Sequence, residues 1–356
     1  MHATRYAERR ERLRGLMRAK NLSALLLSLD ANRFYVSGFE LQDHQINESS
    51  GYVLILADGN DWLCTDARYD DAAKRLWDPS RIFIYSNDAA GAVNALVRDK
   101  VSGTVGFEAN AMTVQFYKGF AEGLSLEPAD GLVEQLRTIK EPEEIARMDA
   151  SAALNHKLME WLPGTFAIGK TEEEIAWSVE RFFRENGAES LAFPCITAIG
   201  PNAALPHATP GKTPLTENTC LLVDVGCRLD DYCSDQTRTF WVGDKPSDTF
   251  METLSLARTA QEKAIAAIRP GMKTADIYAI VRKYLDEHAV GQYFTHGLGH
   301  GVGLQTHEGP SLNPRSTTVL QPGMIVTVEP GLYYPEWGGV RWEYMVLVTD
   351  EGCRIL

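Results

Sequence analysis

Residues 221–240 read LLVDVGCRLDDYCSDQTRTF, and the fold turns on how they pair. Residues 221–226 are an apolar, strand-like run with Asp224 in its middle, and Asp235 opens a second such run through Phe240. Residues 228–231 form a turn-rich interval. A hairpin closing there sets Asp224 opposite Asp235 on adjacent strands, with Cβ atoms about 5 Å apart. Facing acids repel unless they are exposed or neutralised. One such pair, taken alone, is more often a solvated surface feature or a proton-sharing dyad than a metal site.

Further along, residues 324–328 form a second apolar run that ends on Glu329, and Glu343 follows fourteen residues later. Pro335, Gly338 and Gly339 lie between them as turn residues, so a second hairpin sets Glu329 opposite Glu343. Each hairpin is preceded by a similar helical unit. Pro163-Gly164, Lys170-Thr171 and Ile175 lead the first, and Pro270-Gly271, Lys273-Thr274 and Ile277 lead the second. Thr171 and Glu174 have the spacing of a capping box, and Ile175, Val179, Phe182 and Phe183 mark one apolar helix face. Glu329 lies 105 residues after Asp224, close to the offset of the helical units. The second region thus reads as a diverged internal repeat in which each half holds two facing carboxylates. Two such pairs in apolar strands tip the balance toward metal, because four carboxylates supply a charge of about −4, which matches two divalent cations.

The histidines sharpen this. His296, His300 and His307 fall in one glycine-rich segment, and His207 shortly precedes the first hairpin. Glycines let the backbone approach a site closely, but these lack the spacing and the strand–turn–helix setting of a nucleotide-binding loop. The six cysteines form no CxxC pair, and Cys227 and Cys233 read as packing residues beside hard oxygen ligands. Reduced thiols point to the cytoplasm. A net charge of −13 argues against a general nucleic-acid or anionic-membrane binder. No apolar run reaches the roughly 18–20 residues that span a bilayer, and residues 22–29 lack the length and cleavage flank of a secretory signal.

Residues 1–135 alternate short strands and helices, with a helix at 5–20 and strands at 24–28, 52–56, 82–85 and 104–107, a pattern suggesting a small α/β domain. Pro142 suits the first turn of a long helix, so the second domain is expected over 136–356.

These residues resemble the pita-bread metallopeptidases, specifically the aminopeptidase P and prolidase branch. The likeness is carried by Asp224 with Asp235-Gln236-Thr237-Arg238-Thr239, by residues 299–304 around His300, by Glu329-Pro330-Gly331, and by Gly339-Val340-Arg341-Trp342-Glu343. The first domain, including Asp66-Ala67-Arg68-Tyr69, resembles that branch's creatinase-like N-terminal domain. The implied fold is a small α/β domain followed by a pseudo-two-fold α+β pita-bread catalytic domain. The resemblance implies that Asp224 chelates one metal, that Asp235 and Glu343 bridge two, and that His300 and Glu329 complete the second. It matches His207, His296 and His307 to substrate and proton handling and Arg341 to support of the ligands, and Tyr333 borders the site; Glu329, which adjoins the expected nucleophile, is a candidate proton carrier. The branch usually has an aliphatic residue where Gln236 and Trp342 stand, and Asp or Asn where Tyr344 stands. None of these is a ligand position, but Trp342 and Tyr344 bear on ligand support or substrate fit.

An oxygen-dominated site with one imidazole suits manganese or cobalt, with zinc or iron as alternatives. The activity expected first is an Xaa-Pro aminopeptidase acting on peptides with proline second. The alternatives are an Xaa-Pro dipeptidase, another C–N hydrolase of the same scaffold, or a binding protein without catalysis. The expected partners are a proline-containing peptide and a second copy in a homodimer.

Overall fold

In the computed structural model, which describes residues 2–356 other than 44, 46 and 47, the chain divides into two units, Met1–Arg137 and Thr138–Leu356. The division falls after Arg137, where the sequence reading put it after residue 135.

The first unit is built on β1 (Ala24–Leu27), β2 (Gly51–Leu56), β3 (Trp62–Asp66), β4 (Ile82–Tyr85), β5 (Thr104–Phe107) and β6 (Ser125–Pro128). They form one mixed sheet in the order β4-β3-β2-β1-β5-β6. β1 is aliphatic, β2 is aliphatic after Gly51 and Tyr52, and both are buried along their whole length, as central strands are when both faces are covered. The accompanying helices are α1 (His2–Ala19), α2 (Asp30–Ser37), α3 (Asp70–Leu76), α4 (Ala89–Lys100), α5 (Val114–Phe120) and α6 (Leu132–Thr138). Two strands escape the sequence reading. β3 mixes Trp, Cys, Thr and Asp, and β6 is largely exposed and ends on a proline.

The second unit opens with α7 (Pro142–Trp161), which has proline in its first turn, and α8 (Glu172–Glu185), capped by Thr171 and Glu174. Then come β7 (Ser190–Leu191), β8 (Ile196–Ile199), β9 (Thr219–Val225), β10 (Cys227–Leu229), β11 (Tyr232–Cys233) and β12 (Gln236–Val242). Helices α9 (Asp248–Ala267) and α10 (Thr274–Glu287) separate these from β13 (Gly299–Gly301), β14 (Glu308–Leu312), β15 (Ile325–Val328), β16 (Gly331–Tyr334), β17 (Gly338–Arg341), β18 (Tyr344–Val348) and β19 (Cys353–Ile355). The principal sheets are β12-β9-β8 in the first half and β14-β13-β15-β18-β19 in the second.

The internal repeat is visible in the backbone. Gly169 N and Leu215 N bond Leu215 O and Lys170 O, while Gly271 N and Leu320 N bond Leu320 O and Met272 O in the matching places. The packing repeats too. Ile175, Val179 and Phe183 of α8 share a core with Leu221, Val223 and Val225 of β9. Ile277, Val281 and Leu285 of α10 share one with Val326 and Val328 of β15 and Val346 and Val348 of β18. Each of these large side chains contributes about 1.5–3 kcal/mol on burial. Because strand side chains alternate, filling the helix side with these residues turns Asp224, Glu329 and Glu343 to the opposite face.

The first hairpin differs from expectation in register. Asp224 pairs with Thr237, not with Asp235, and the ladder runs on through Arg228↔Cys233 and Leu229↔Tyr232. It closes on two residues, Asp230 and Asp231, at φ 48° and 73°, a left-handed pair that Asp tolerates and that matches strand twist. That tight turn moves the partner of Asp224 by two residues, and a shift of two keeps the same face. Asp235 is therefore a diagonal neighbour of Asp224. In the second hairpin Val328↔Tyr344 and Gly331↔Arg341 flank Glu329 and Glu343 in one continuous register, as expected.

Candidate metal centre

Between the two hairpins lies a cavity of about 450 Å³. Asp224, Asp235, Glu329 and Glu343 line it together with His207, His296, His300, His307 and Arg341, so the expected ligands, the expected histidines and the arginine reach one place, whereas Tyr333, Gln236, Trp342 and Tyr344 are not among its lining residues. His207 and His307 are exposed, while Asp224, Asp235, Arg341 and Glu343 are buried.

Glycine makes room for His300. A Cβ on Gly299 would collide with the Thr327 carbonyl, and one on Gly301 with that of Gly309. His300 Nδ1 lies 3.0 Å from Gly301 O and donates to it, which leaves the Nε2 lone pair free. That Nε2 stands 3.4 Å from Glu329 Oε1 and 3.6 Å from Asp235 Oδ2. Asp235, His300 and Glu343 each offer a ligand atom within 4.8 Å of the others.

The two hairpins are stitched at this point. Glu343 N donates to Thr237 O at 3.2 Å, and the Thr237 hydroxyl donates to Glu343 Oε2 at 2.7 Å. Arg341 sends Nε to the Thr237 hydroxyl at 3.0 Å and Nη2 to Asp224 Oδ2 at 2.5 Å. Its Nη1 reaches the Tyr333 hydroxyl at 2.8 Å, which stands 2.8 Å from His296 Nε2. Since His296 Nδ1 donates to Gly297 O at 2.7 Å, the tyrosine hydroxyl is the donor to Nε2, giving a directed chain from Arg341 to His296.

Burial, then the neighbouring Glu343, Asp224 and Glu329, raises the Asp235 carboxyl well above its usual range. Burial with Glu329 and Asp224 does the same to Glu343. Glu329 is pushed up to about 7 by burial and Asp224, against Arg341. Burial lowers His300, and burial with Arg341 lowers His296 to about 4, so both rings are neutral at neutral pH. These are neutral imidazoles among carboxylates held against their own repulsion, a donor set for cations. Asp224 Oδ1 supports that fit directly, being buried with no hydrogen-bond partner among the described residues.

Some of the site was not read from the sequence. Thr237 and Thr327 bear on Glu343 and Glu329, with Thr327 Oγ1 3.2 Å from Glu329 Oε1. Both lie two residues from an acid on the same strand, and that alternation was the available signal. Phe193, Pro194, Ile196, Pro206, Ala208 and Pro210 form an apolar wall that no motif announced.

Acids and neutral imidazoles around an orphaned carboxylate oxygen mark a protein that works with bound divalent cations. The chain belongs to metallopeptidase family M24, whose pattern matches residues 146–350, and the Creatinase/Prolidase N-terminal domain matches residues 9–139. It is 30% identical to the Xaa-Pro dipeptidase of Pyrococcus furiosus, over 98% of this chain and 97% of that one. Among solved structures it is similar to the Xaa-Pro dipeptidase from Bacillus anthracis, at 34% identity and a TM-score of 0.91 over 98% and 97% of the two chains. It also resembles the X-Pro aminopeptidase from Thermotoga maritima, at 29% identity and a TM-score of 0.82 over 94% and 95%.

Proposed function

We propose that this protein hydrolyses the peptide bond preceding proline, as an Xaa-Pro dipeptidase, with two divalent cations held by Asp224, Asp235, His300, Glu329 and Glu343. The observation that carries the reading is the convergence of these five side chains, with Asp224, Asp235 and Glu343 buried and the Asp224 Oδ1 lone pair unused. Manganese is the proposed metal, since oxygen ligands dominate the set. The sequence alone favoured an aminopeptidase. Likeness to the Pyrococcus furiosus and Bacillus anthracis dipeptidases supports the dipeptidase reading better, while likeness to the Thermotoga maritima enzyme supports the aminopeptidase. Six free cysteines support a cytoplasmic location, and a homodimer is the proposed assembly. No described helix is long and apolar enough to cross a membrane.

When bound, the cations supply an acidified water and polarise the scissile carbonyl. The chain supplies the rest. Arg341 fixes the Asp224 carboxylate, and through Tyr333 it fixes the His296 ring. Glu329, beside His300, carries a proton to and from its carboxylate oxygen. His307, whose ring centre is 4.3 Å from that of His300, stands at the exposed side to protonate the departing nitrogen. The apolar wall from Phe193 to Pro210 excludes water and fits a proline ring.

The test is hydrolysis of Ala-Pro against Ala-Pro-Ala by manganese-loaded protein. A dipeptidase cleaves the dipeptide at least about tenfold more efficiently. The opposite preference assigns the aminopeptidase, and no cleavage of either removes the peptidase reading.

A further inference from the structure

Behind the carboxylates, on the face turned away from the cavity, Arg238 is buried with only 6% of its surface exposed. Its guanidinium carbon lies 4.3 Å from the centre of the Trp342 ring and 4.1 Å from that of Tyr344. Its Nη1 donates to Glu343 O at 2.6 Å and to Thr237 O at 2.8 Å. Thr237 O is the same oxygen that receives the Glu343 backbone N–H. Arg258 places its own guanidinium carbon 5.1 Å from the Trp342 ring centre.

We infer that Trp342, Arg238 and Tyr344 form a clamp that positions Glu343 against Asp235, making Arg238 a positioning residue for the metal centre. Strand alternation gives the logic. Trp342 and Tyr344 flank Glu343 in sequence and point away from it, so their rings embrace a cation on the far side of the strand that carries the ligand. Ring faces attract a desolvated guanidinium, and its planar fork spends a donor on carbonyls of both hairpins at once. Glu343 is thereby held at three points: its carbonyl by Arg238, its N–H by Thr237 O, and its carboxylate by the Thr237 hydroxyl. Groups that hold a ligand's orientation act on the metal although they never touch it. An aliphatic residue at 342 offers no ring face and leaves the buried guanidinium with less compensation.

This rests on the dinuclear reading above, and the experiment separates the two. Chelator-treated protein is titrated with Mn²⁺ by calorimetry, alongside thermal melting and kcat and KM on Ala-Pro. Trp342→Leu weakens Mn²⁺ binding at one site by about 10- to 100-fold and lowers kcat, with KM nearly unchanged. Trp342→Phe, which keeps a ring face, recovers binding to within about threefold of the parent. Arg238→Lys follows Trp342→Leu, because an ammonium has no flat face to stack between the two rings. Tyr344→Leu supplies the same comparison should Trp342→Leu not fold. Variants that melt earlier yet bind Mn²⁺ as the parent does overturn the clamp and leave the residues a purely structural part. A parent that takes up no Mn²⁺ overturns the dinuclear reading itself, and the clamp with it.

Discussion

Asp235 and Glu343 enter the cavity from different hairpins, and each is buried among like charges. Among the described residues, no lysine or arginine meets either of them directly in the way Arg341 meets Asp224. Replacing either by alanine removes a ligand and relieves repulsion at once. Asp235→Ala and Glu343→Ala are therefore expected to lose turnover to background and at least one equivalent of metal. Their circular dichroism should stay native and their metal-free melting temperature should not fall. Near-normal turnover in either variant would falsify the bridging roles. Residues of this kind were legible in the sequence because an acid inside an apolar strand stands out. Thr237 and Thr327 were harder to read, since a hydroxyl on a strand is ordinary until its partner is known.

Among the elements, the strands and helices with a clear period were readable, as α7, α8, β9 and β12 show. What the sequence concealed was register, because the Asp230-Asp231 turn depends on two consecutive left-handed residues and not on composition. β3 and β6 were hidden for a related reason, since β3 is a short strand of mixed composition and β6 an exposed edge strand, and neither carries an apolar period. A second concealed device is the ion pair of Lys140 and Glu308, at 2.9 Å with side chains 1% and 5% exposed. It ties the segment just before α7 to the start of β14, next to His307. Taking away the lysine removes a buried countercharge from Glu308. Lys140→Ala is expected to cost about 3–5 kcal/mol in denaturant unfolding, and a loss below about 1 kcal/mol would show that water reaches the pair.

For the molecule as a whole, the acids of the site set the pH response of the metal-free protein. The folded state raises the affinity of Asp235, Glu329 and Glu343 for protons and lowers that of His296, His300 and His307, so below about 6.5 the two groups oppose each other, and in the window from about 6.5 upward the folded state binds more protons than the unfolded chain. Stability therefore falls as pH rises through that window. Chelator-treated protein should melt lower at pH 8 than at pH 6.5, and Mn²⁺ should raise the melting temperature more at the higher pH while releasing protons; a flat profile over that window would contradict the carboxylate cluster. The five proposed ligands span residues 224 to 343 and meet only after the two halves have docked. An unfolded chain offers nothing comparable to a cation, so free ion at about a hundred times its dissociation constant adds about 2.7 kcal/mol to the native state alone. A cell short of the ion would hold a chain that is not merely idle but also more readily opened to proteases, so its abundance would track the metal supply.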